Sequence, residues 1–342
     1  MPIKVSINGF GRIGRAALKR IFASHPDLDL VAINDLTSPE ALAHLLAHDS
    51  VYGDYNETSG WVKGFLVVGD KKIKVFSEPD PEKLPWKKLK IDVVLECTGR
   101  FSDLAGAQKH IKAGAKKVVI SANAKDDNVP HFIIGVNEQD YDFREHDIIA
   151  NCSCTTNCAA PIMKIIHENF GILKAQMMTI HAVTSTQNLV DGPHKDLRRA
   201  RSAMVNTVPT TTGAAKAVVR VLPELKGKIS GSAFRVPVIC GSVLEIIAQI
   251  EKETNAEVIN KIFIKQAKTK FKGIIDTSTG YLVSSDIIGT DSSAIVDLPL
   301  TEVLDLPGIK DENLIKVLAW YDNEWAYACR LAELAQYIGR SA

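Results

Sequence analysis

Three of the six cysteines fall within seven residues, in the run Asn151-Cys152-Ser153-Cys154-Thr155-Thr156-Asn157-Cys158. The residues ahead of it, 147–150, read as a strand. Behind it, Ala159, Ile162, Ile165 and Ile166 recur at helical spacing and put apolar residues on one face. Cys154 is therefore expected where a strand ends and a helix begins. A helix N-terminus carries partial positive charge, which favours a thiolate over a thiol and so a nucleophile. The hydroxyls of Ser153, Thr155 and Thr156, beside unpaired backbone N–H groups, suit an oxyanion or a phosphate. Small hydroxyl residues are also good helix caps. The stretch becomes a site only if other elements bring a base and a redox partner to it.

A redox partner is legible at the start of the chain. Residues 4–8 read as a buried strand, Gly9-Phe10-Gly11-Arg12-Ile13-Gly14 follows at once, and 15–24 are helical. This is G-x-G-x-x-G between strand and helix, the context the motif requires. Gly9 permits the tight turn, Gly11 lets a pyrophosphate approach the backbone, and Gly14 permits close helix–strand packing. A second strand over 30–34 ends at Asp35, 21 residues after Gly14. A carboxylate there accepts from both ribose hydroxyls and repels a 2′-phosphate, so the cofactor is read as NAD. Helix 39–47, a hairpin of 65–68 and 72–76, strand 92–96, helix 103–113 and strands 118–121 and 132–135 continue the alternation. Such units give a mostly parallel sheet, helices on both faces and ligands at the carboxyl ends of the strands. Thr98-Gly99 and Ser121-Ala122 fall at such ends, placed to line the nicotinamide side.

After Phe170 the pattern changes. Residues 177–183 are strand-like and contain His181, which supplies the base that the thiol lacks. A long polar segment, 184–207, follows with little periodicity, and loops of that length are usually functional. Its basic run His194-Lys195-Asp196-Leu197-Arg198-Arg199-Ala200-Arg201 suits a solvated face, a subunit contact or a phosphate-bearing substrate. Thr210-Thr211-Thr212-Gly213 opens a helix through 222 and makes a second anion site. Strands 229–236 (carrying Arg235), 241–251 and 314–320 and helix 255–268 complete an α+β half with a largely antiparallel sheet. The last helix, 326–337, is expected to pack on the first half. The fold class is thus a Rossmann-type doubly wound α/β domain, residues 1–153 completed by 321–342, plus an α+β catalytic domain over 154–320.

Composition agrees with two globular domains, since 342 residues can bury two cores. A net charge of +1 argues against nucleic acid or an acidic membrane as the main partner. No apolar run is long enough to span a bilayer. The N-terminal Met-Pro-Ile-Lys-Val-Ser-Ile lacks the apolar centre of a signal peptide, so a cytoplasmic protein is expected. A disulfide framework does not suit such a chain, and no second pair of ligands stands at zinc spacing. No metal is expected.

Taken together, these pieces closely resemble phosphorylating glyceraldehyde-3-phosphate dehydrogenases. The matching runs are Asn8-Gly-Phe-Gly-Arg-Ile-Gly-Arg15, Glu96-Cys-Thr-Gly-Arg-Phe101, Ser153-Cys-Thr-Thr-Asn-Cys158, His181-Ala-Val-Thr184, Thr212-Gly-Ala-Ala-Lys216, Ala233-Phe-Arg-Val-Pro237 and Trp320-Tyr-Asp-Asn-Glu324. They occur in the family's order and cover nearly the whole chain. The resemblance implies Cys154 as nucleophile and His181 as the group that lowers the thiol pKa and moves the proton. It implies one phosphate site at Thr184 and Arg235, and another at Ser153, Thr155, Thr212 and Gly213 with Arg199 nearby. Arg12, Ile13, Asp35 and Ser121 would contact the cofactor, and Asn323 would hold the nicotinamide carboxamide. The substrates would be glyceraldehyde 3-phosphate and inorganic phosphate, and the assembly a homotetramer. Leu36 and Pro193, where NADP-accepting relatives tend to carry small hydroxyl residues, favour NAD.

The chain departs from the family at Cys152 (usually alanine), Asn123 (usually proline), Pro79 (often arginine), the stretch Val238-Ile239-Cys240-Gly241 and an extended 298–308. Three rival readings are an erythrose-4-phosphate dehydrogenase, a non-catalytic NAD-sensing protein and RNA binding through 195–201. The Thr212-Gly213 pair argues against the first, and Cys154 with His181 against the second. Balanced charge without an aromatic-basic platform leaves RNA as a side activity at most.

Overall fold

Strand Ile3–Asn8 lies between Val93–Glu96 and Leu28–Asn34 in an eight-stranded sheet. Continuing past Val93–Glu96 are Lys117–Ile120 and Ile148–Ala150; past Leu28–Asn34 are Lys71–Phe76, Phe65–Val68 and Ser59–Val62. The six strands from Ile148–Ala150 to Lys71–Phe76 run parallel, and the last two turn antiparallel. Strand order reverses beside Ile3–Asn8, so a ligand crevice is expected at its carboxyl end. The computed structural model describes residues 1–57, 59–304 and 313–340.

Helix Arg12–Ser24 begins three residues before the sequence pattern indicates, because extended Gly11 caps it and its carbonyl accepts from Arg15 N at 3.0 Å. Residues 132–135 do not form the expected strand. Asn137 folds them into turns: its Oδ1 accepts from Ile133 N and its Nδ2 donates to His131 O, each at 2.9 Å. Among the described residues the segment meets the sheet at its start, where His131 bridges Ala150 and Phe132 N donates to Ala150 O at 3.0 Å.

Two compact units divide the chain: Met1–Ser153 with Tyr327–Ala342, and Cys154–Ala326. The second is built on strands in the order Val208–Thr210, Ile229–Arg235, Ile172–His181, Ser242–Ile250, Leu314–Tyr321, Ala294–Asp297 and Ile275–Ser278. Glu302–Val303 also pairs with Leu314–Tyr321. Most pairings are antiparallel; Ile172–His181 with Ile229–Arg235, and Ile275–Ser278 with Ala294–Asp297, are parallel. Burial alternates residue by residue along Ser242–Ile250 and Leu314–Tyr321, as in a sheet with one face covered. Helix Cys154–Phe170 packs on that sheet and buries Ala159, Ile162, Ile165 and Ile166. Of the expected extension over 298–308, only 298–304 fall within the described residues. Among the described residues no helix is long and apolar enough to cross a membrane.

Candidate active site

Cys154 is the first residue of helix Cys154–Phe170, and His181 the last of strand Ile172–His181. Their reactive atoms face each other, with Cys154 Sγ 3.4 Å from His181 Nε2. The chain turns sharply just ahead of the helix, at buried Cys152, which has φ +57°. His181 is registered with Arg235 on the neighbouring parallel strand, so the two side chains emerge side by side. Arg235 Nη1 lies 2.5 Å from His181 Nδ1 and donates to Ala182 O at 2.9 Å. That carbonyl is also 2.7 Å from His181 Nδ1. If Nδ1–H donates to Ala182 O, a lone pair on Nε2 faces the thiol. If Arg235 donates to Nδ1 instead, Nε2 carries the proton.

Charge and burial act on both groups. Burial, and next the Arg235 charge, push His181 down to about 3, with the Ala182 carbonyl opposing and Arg199 adding to the fall. Burial pushes the Cys154 thiol above its ordinary range. The Arg235 charge, the N–H and hydroxyl of Thr155 and the N–H of Cys154 itself oppose that rise. Cys154 is only half-buried, and the helix end and the arginine favour the thiolate that burial opposes. At neutral pH His181 rests as a neutral imidazole.

Tyr321 stands out in the sequence only for its place in a matching run, yet it backs both groups. It is 1% exposed, and its hydroxyl lies 2.9 Å from Thr155 Oγ1 and 2.8 Å from Thr179 Oγ1. Its ring meets the His181 ring edge-on at 5.9 Å. One phenol thus ties the first turn of the cysteine helix to the last turn of the histidine strand. Ser242 does similar work nearby: its Oγ accepts from Ala182 N at 3.1 Å and donates to Asn323 Oδ1 at 2.9 Å. With Gly241 N also donating to that oxygen at 3.2 Å, the Asn323 carboxamide is fixed in orientation.

The anion-binding candidates of this unit divide. Arg199 and Arg235 are close enough for Arg199 to lower the pKa of both Arg235 and His181. Arg235 Nε is buried and meets no hydrogen-bond partner among the described residues. Arg199 Nε donates to Thr210 Oγ1 at 2.9 Å and lies 3.6 Å from Asp196 Oδ2. Thr212 Oγ1 accepts from Ala214 N at 3.1 Å, beside Gly213 at the start of helix Ala214–Val221. Thr184 Oγ1 is 2.9 Å from Thr186 Oγ1. Thr155 is bound to Tyr321, and Ser153 closes the first unit.

In that first unit a cavity of about 340 Å³ opens at the carboxyl ends of the central strands, lined by Gly9, Gly11, Asp35, Leu36, Thr98 and neighbours. A Cβ on Gly9 would meet Thr98 N at 2.7 Å, one on Gly14 would meet Gly9 O at 2.3 Å, and Gly11 faces open space. Glycine is thus required where the turn and helix pack, and the helix N-terminus is left open to a phosphate. Asp35 Oδ2 accepts from Phe10 N at 2.7 Å and Oδ1 from Thr37 N at 2.9 Å, which fixes its carboxylate at the cavity. The Arg12 side chain is committed to Asp49 at 2.8 Å, so it offers the cavity chiefly the backbone of Arg12 and Ile13 at the helix start. Ser121 bonds the Cys97 thiol, which burial pushes up to about 12. Asn123 keeps a buried Oδ1 without a partner among the described residues. Pro79 lines the cavity. These residues fit a dinucleotide. Among the described residues no group of three or more His, Cys, Asp or Glu could hold a metal.

A dinucleotide unit joined in one chain to a unit with a thiol–imidazole pair beside two arginines defines a nicotinamide-dependent oxidoreductase. The model of the glyceraldehyde 3-phosphate dehydrogenase NAD-binding domain matches residues 3–104, and that of the C-terminal domain matches 153–323. Glyceraldehyde-3-phosphate dehydrogenase of Geobacillus stearothermophilus is 47% identical over 338 residues, 99% of this chain and 98% of the relative. That of Clostridium pasteurianum is 48% identical over 341 residues, 99% of each. The chloroplastic A form of Chlamydomonas reinhardtii is 48% identical over 340 residues, 99% of this chain and 89% of the relative. The chain belongs to the glyceraldehyde-3-phosphate dehydrogenase family. It is an NAD-dependent oxidoreductase acting on an aldehyde group.

Proposed function

We propose that this protein oxidises D-glyceraldehyde 3-phosphate with inorganic phosphate to 1,3-bisphosphoglycerate, through a thioester on Cys154. The observation that carries this is the Cys154 Sγ–His181 Nε2 contact of 3.4 Å with Arg235 beside it. Substrate phosphate on Arg235 offsets the charge that depresses His181 and draws Nη1 off Nδ1. Nδ1–H then donates to Ala182 O, and Nε2 becomes the base. Sγ bonds the aldehyde carbon as its proton passes to Nε2. The new oxyanion is held by the Cys154 N–H and the Nε2–H. The hydride that this carbon gives up would go to the bound cofactor, the one redox step NAD would supply, and leave the thioester. Phosphate held near Arg199, Thr212 and Gly213 attacks the carbonyl carbon; the C–S bond breaks, and His181 returns its proton to sulfur.

NAD would be held by Gly9, Gly11, Arg12, Ile13, Asp35, Thr98 and Ser121, with Asn323 orienting the carboxamide. Leu36 and Pro193 favour it over NADP. A cytoplasmic homotetramer is the proposed assembly, supported by Leu189, Val190, Leu197, Met204 and Val205, all exposed in the long segment after His181. Sedimentation at a monomer mass would refute the tetramer. The chemistry is tested by intact-mass measurement after mixing with triose phosphate and NAD without phosphate. The protein should gain one acyl group, lose it on adding phosphate, and gain none as Cys154→Ser. An acyl group on any other residue would refute the nucleophile assignment.

A further inference from the structure

The last residues of three adjacent strands, Asn34, Asn8 and Glu96, are register partners, and each immediately precedes a residue that lines the cofactor cavity. Their side chains form one hydrogen-bonded line. Asn34 Nδ2 donates to Asn8 Oδ1 at 2.7 Å, and Asn8 Nδ2 to Glu96 Oε2 at 2.5 Å. Glu96 is 1% exposed and takes two further donors, Thr98 N at 2.8 Å and the Thr98 hydroxyl, on Oε1. His110 Nε2 reaches Oε2 at 3.1 Å. Behind it, the Trp86 indole Nε1 donates to His110 Nδ1 at 3.0 Å. An indole N–H can only donate, so Nδ1 accepts and Nε2 carries the ring proton toward Glu96. Every group around the carboxylate is thus a donor, and the ring cannot change tautomer without giving up Trp86.

We infer that Glu96 is a positioning residue for the cofactor: it holds the Thr98 turn and the Asn8–Asn34 pair so that Gly9, Asp35 and Thr98 keep the cavity's shape. This rests on NAD occupying that cavity. The donor arrangement distinguishes a carboxylate from its isostere. In Glu96→Gln the amide nitrogen must face either the Thr98 N–H, which cannot invert, or the Asn8 and His110 N–H groups. Turning the Asn8 amide would break its bond from Asn34. Either arrangement leaves buried donors opposed.

The test is calorimetric titration of NAD into the full-length protein, with thermal melting of each variant. Glu96→Gln should weaken NAD binding by about tenfold or more, the scale of lost hydrogen bonds to a charged group. In steady state it should raise KM for NAD more than it lowers kcat. Adding Trp86→Phe frees Nδ1, lets the ring present Nε2 as acceptor to the new amide, and should recover part of the loss. Unchanged affinity in Glu96→Gln, or a double variant that binds no better than the single losses combined, would overturn the assignment. Should Trp86→Phe fail to fold, ¹⁵N-histidine spectra of the unmodified protein decide: His110 must show the Nε2–H tautomer, and Nδ1–H would refute it. Asp35→Ala runs alongside. If it leaves NAD affinity unchanged, NAD does not occupy this cavity and the inference falls with that reading; if it weakens binding while Glu96→Gln does not, only the inference fails.

Discussion

Arg235 Nη1 stands 2.5 Å from His181 Nδ1 because the two residues are register partners on adjacent parallel strands. A permanent cation against the imidazole's far nitrogen opposes its protonation, and so opposes the base the reaction needs. Under the proposed mechanism the same cation takes the anionic substrate, so binding and activation would be one event: an anion on Arg235 would also release His181.

Arg235→Met should therefore raise the His181 titration midpoint from about 3 toward the ordinary histidine value, read by NMR. It should also lower kcat/KM for triose phosphate by roughly 10²-fold or more, with a smaller loss for unphosphorylated glyceraldehyde, since charge-assisted hydrogen bonds to the phosphate are removed. An unmoved midpoint would show that Arg235 does not govern the ring.

His181→Asn should slow turnover by roughly 10²–10⁴-fold, the usual worth of a general acid–base group. It should also change acid stability. His181 is depressed in the folded state to about 3, so its contribution is intact above the unfolded value near 6.5 and is lost as pH falls between the two. Over that window the unmodified protein should lose up to about 1.4 kcal/mol per pH unit more than the variant. Parallel denaturant curves at several pH values check this, and equal slopes would refute a neutral buried His181.

Tyr321→Phe keeps the ring against His181 and removes the hydroxyl from Thr155 and Thr179. The thiol's alkylation profile with iodoacetamide should shift along the pH axis and kcat should fall about tenfold or more, for two buried hydroxyls lose a partner. NAD affinity should hold. A profile identical to the unmodified protein's would reduce Tyr321 to a packing residue.

Asp35→Ala should relax selectivity toward NADP, because the carboxylate that repels a 2′-phosphate is gone. The ratio of kcat/KM for the two cofactors measures this, and an unchanged ratio would contradict the ribose role.

Much of this was legible locally. Cys154 opens its helix as the apolar spacing of 159–166 indicates, and the glycine turn announces the first sheet. What the sequence hides is long-range. Tyr321 reaches partners 166 and 142 positions away, and Glu96 meets Asn8 across 88. No local period reports such contacts. Strands Ala294–Asp297 and Ile275–Ser278 are only four residues each, too short for alternation to declare itself. Residues 132–135 carry a strand-like apolar run, but the Asn137 side chain captures the Ile133 N–H and the adjoining His131 carbonyl first. The depression of His181 comes first from burial and then from Arg235, which lies 54 positions away, and neither is a property of the run around His181.

The most direct test of the central claim follows reduced-nicotinamide absorbance with NAD and glyceraldehyde 3-phosphate, with and without inorganic phosphate, and with erythrose 4-phosphate in parallel. Fast reduction that depends on phosphate and prefers the triose is the predicted result. Reduction that ignores phosphate, or prefers the tetrose, would contradict it: the thiol–imidazole pair would stand, but the thioester would end in hydrolysis and Thr212-Gly213 would lose its role.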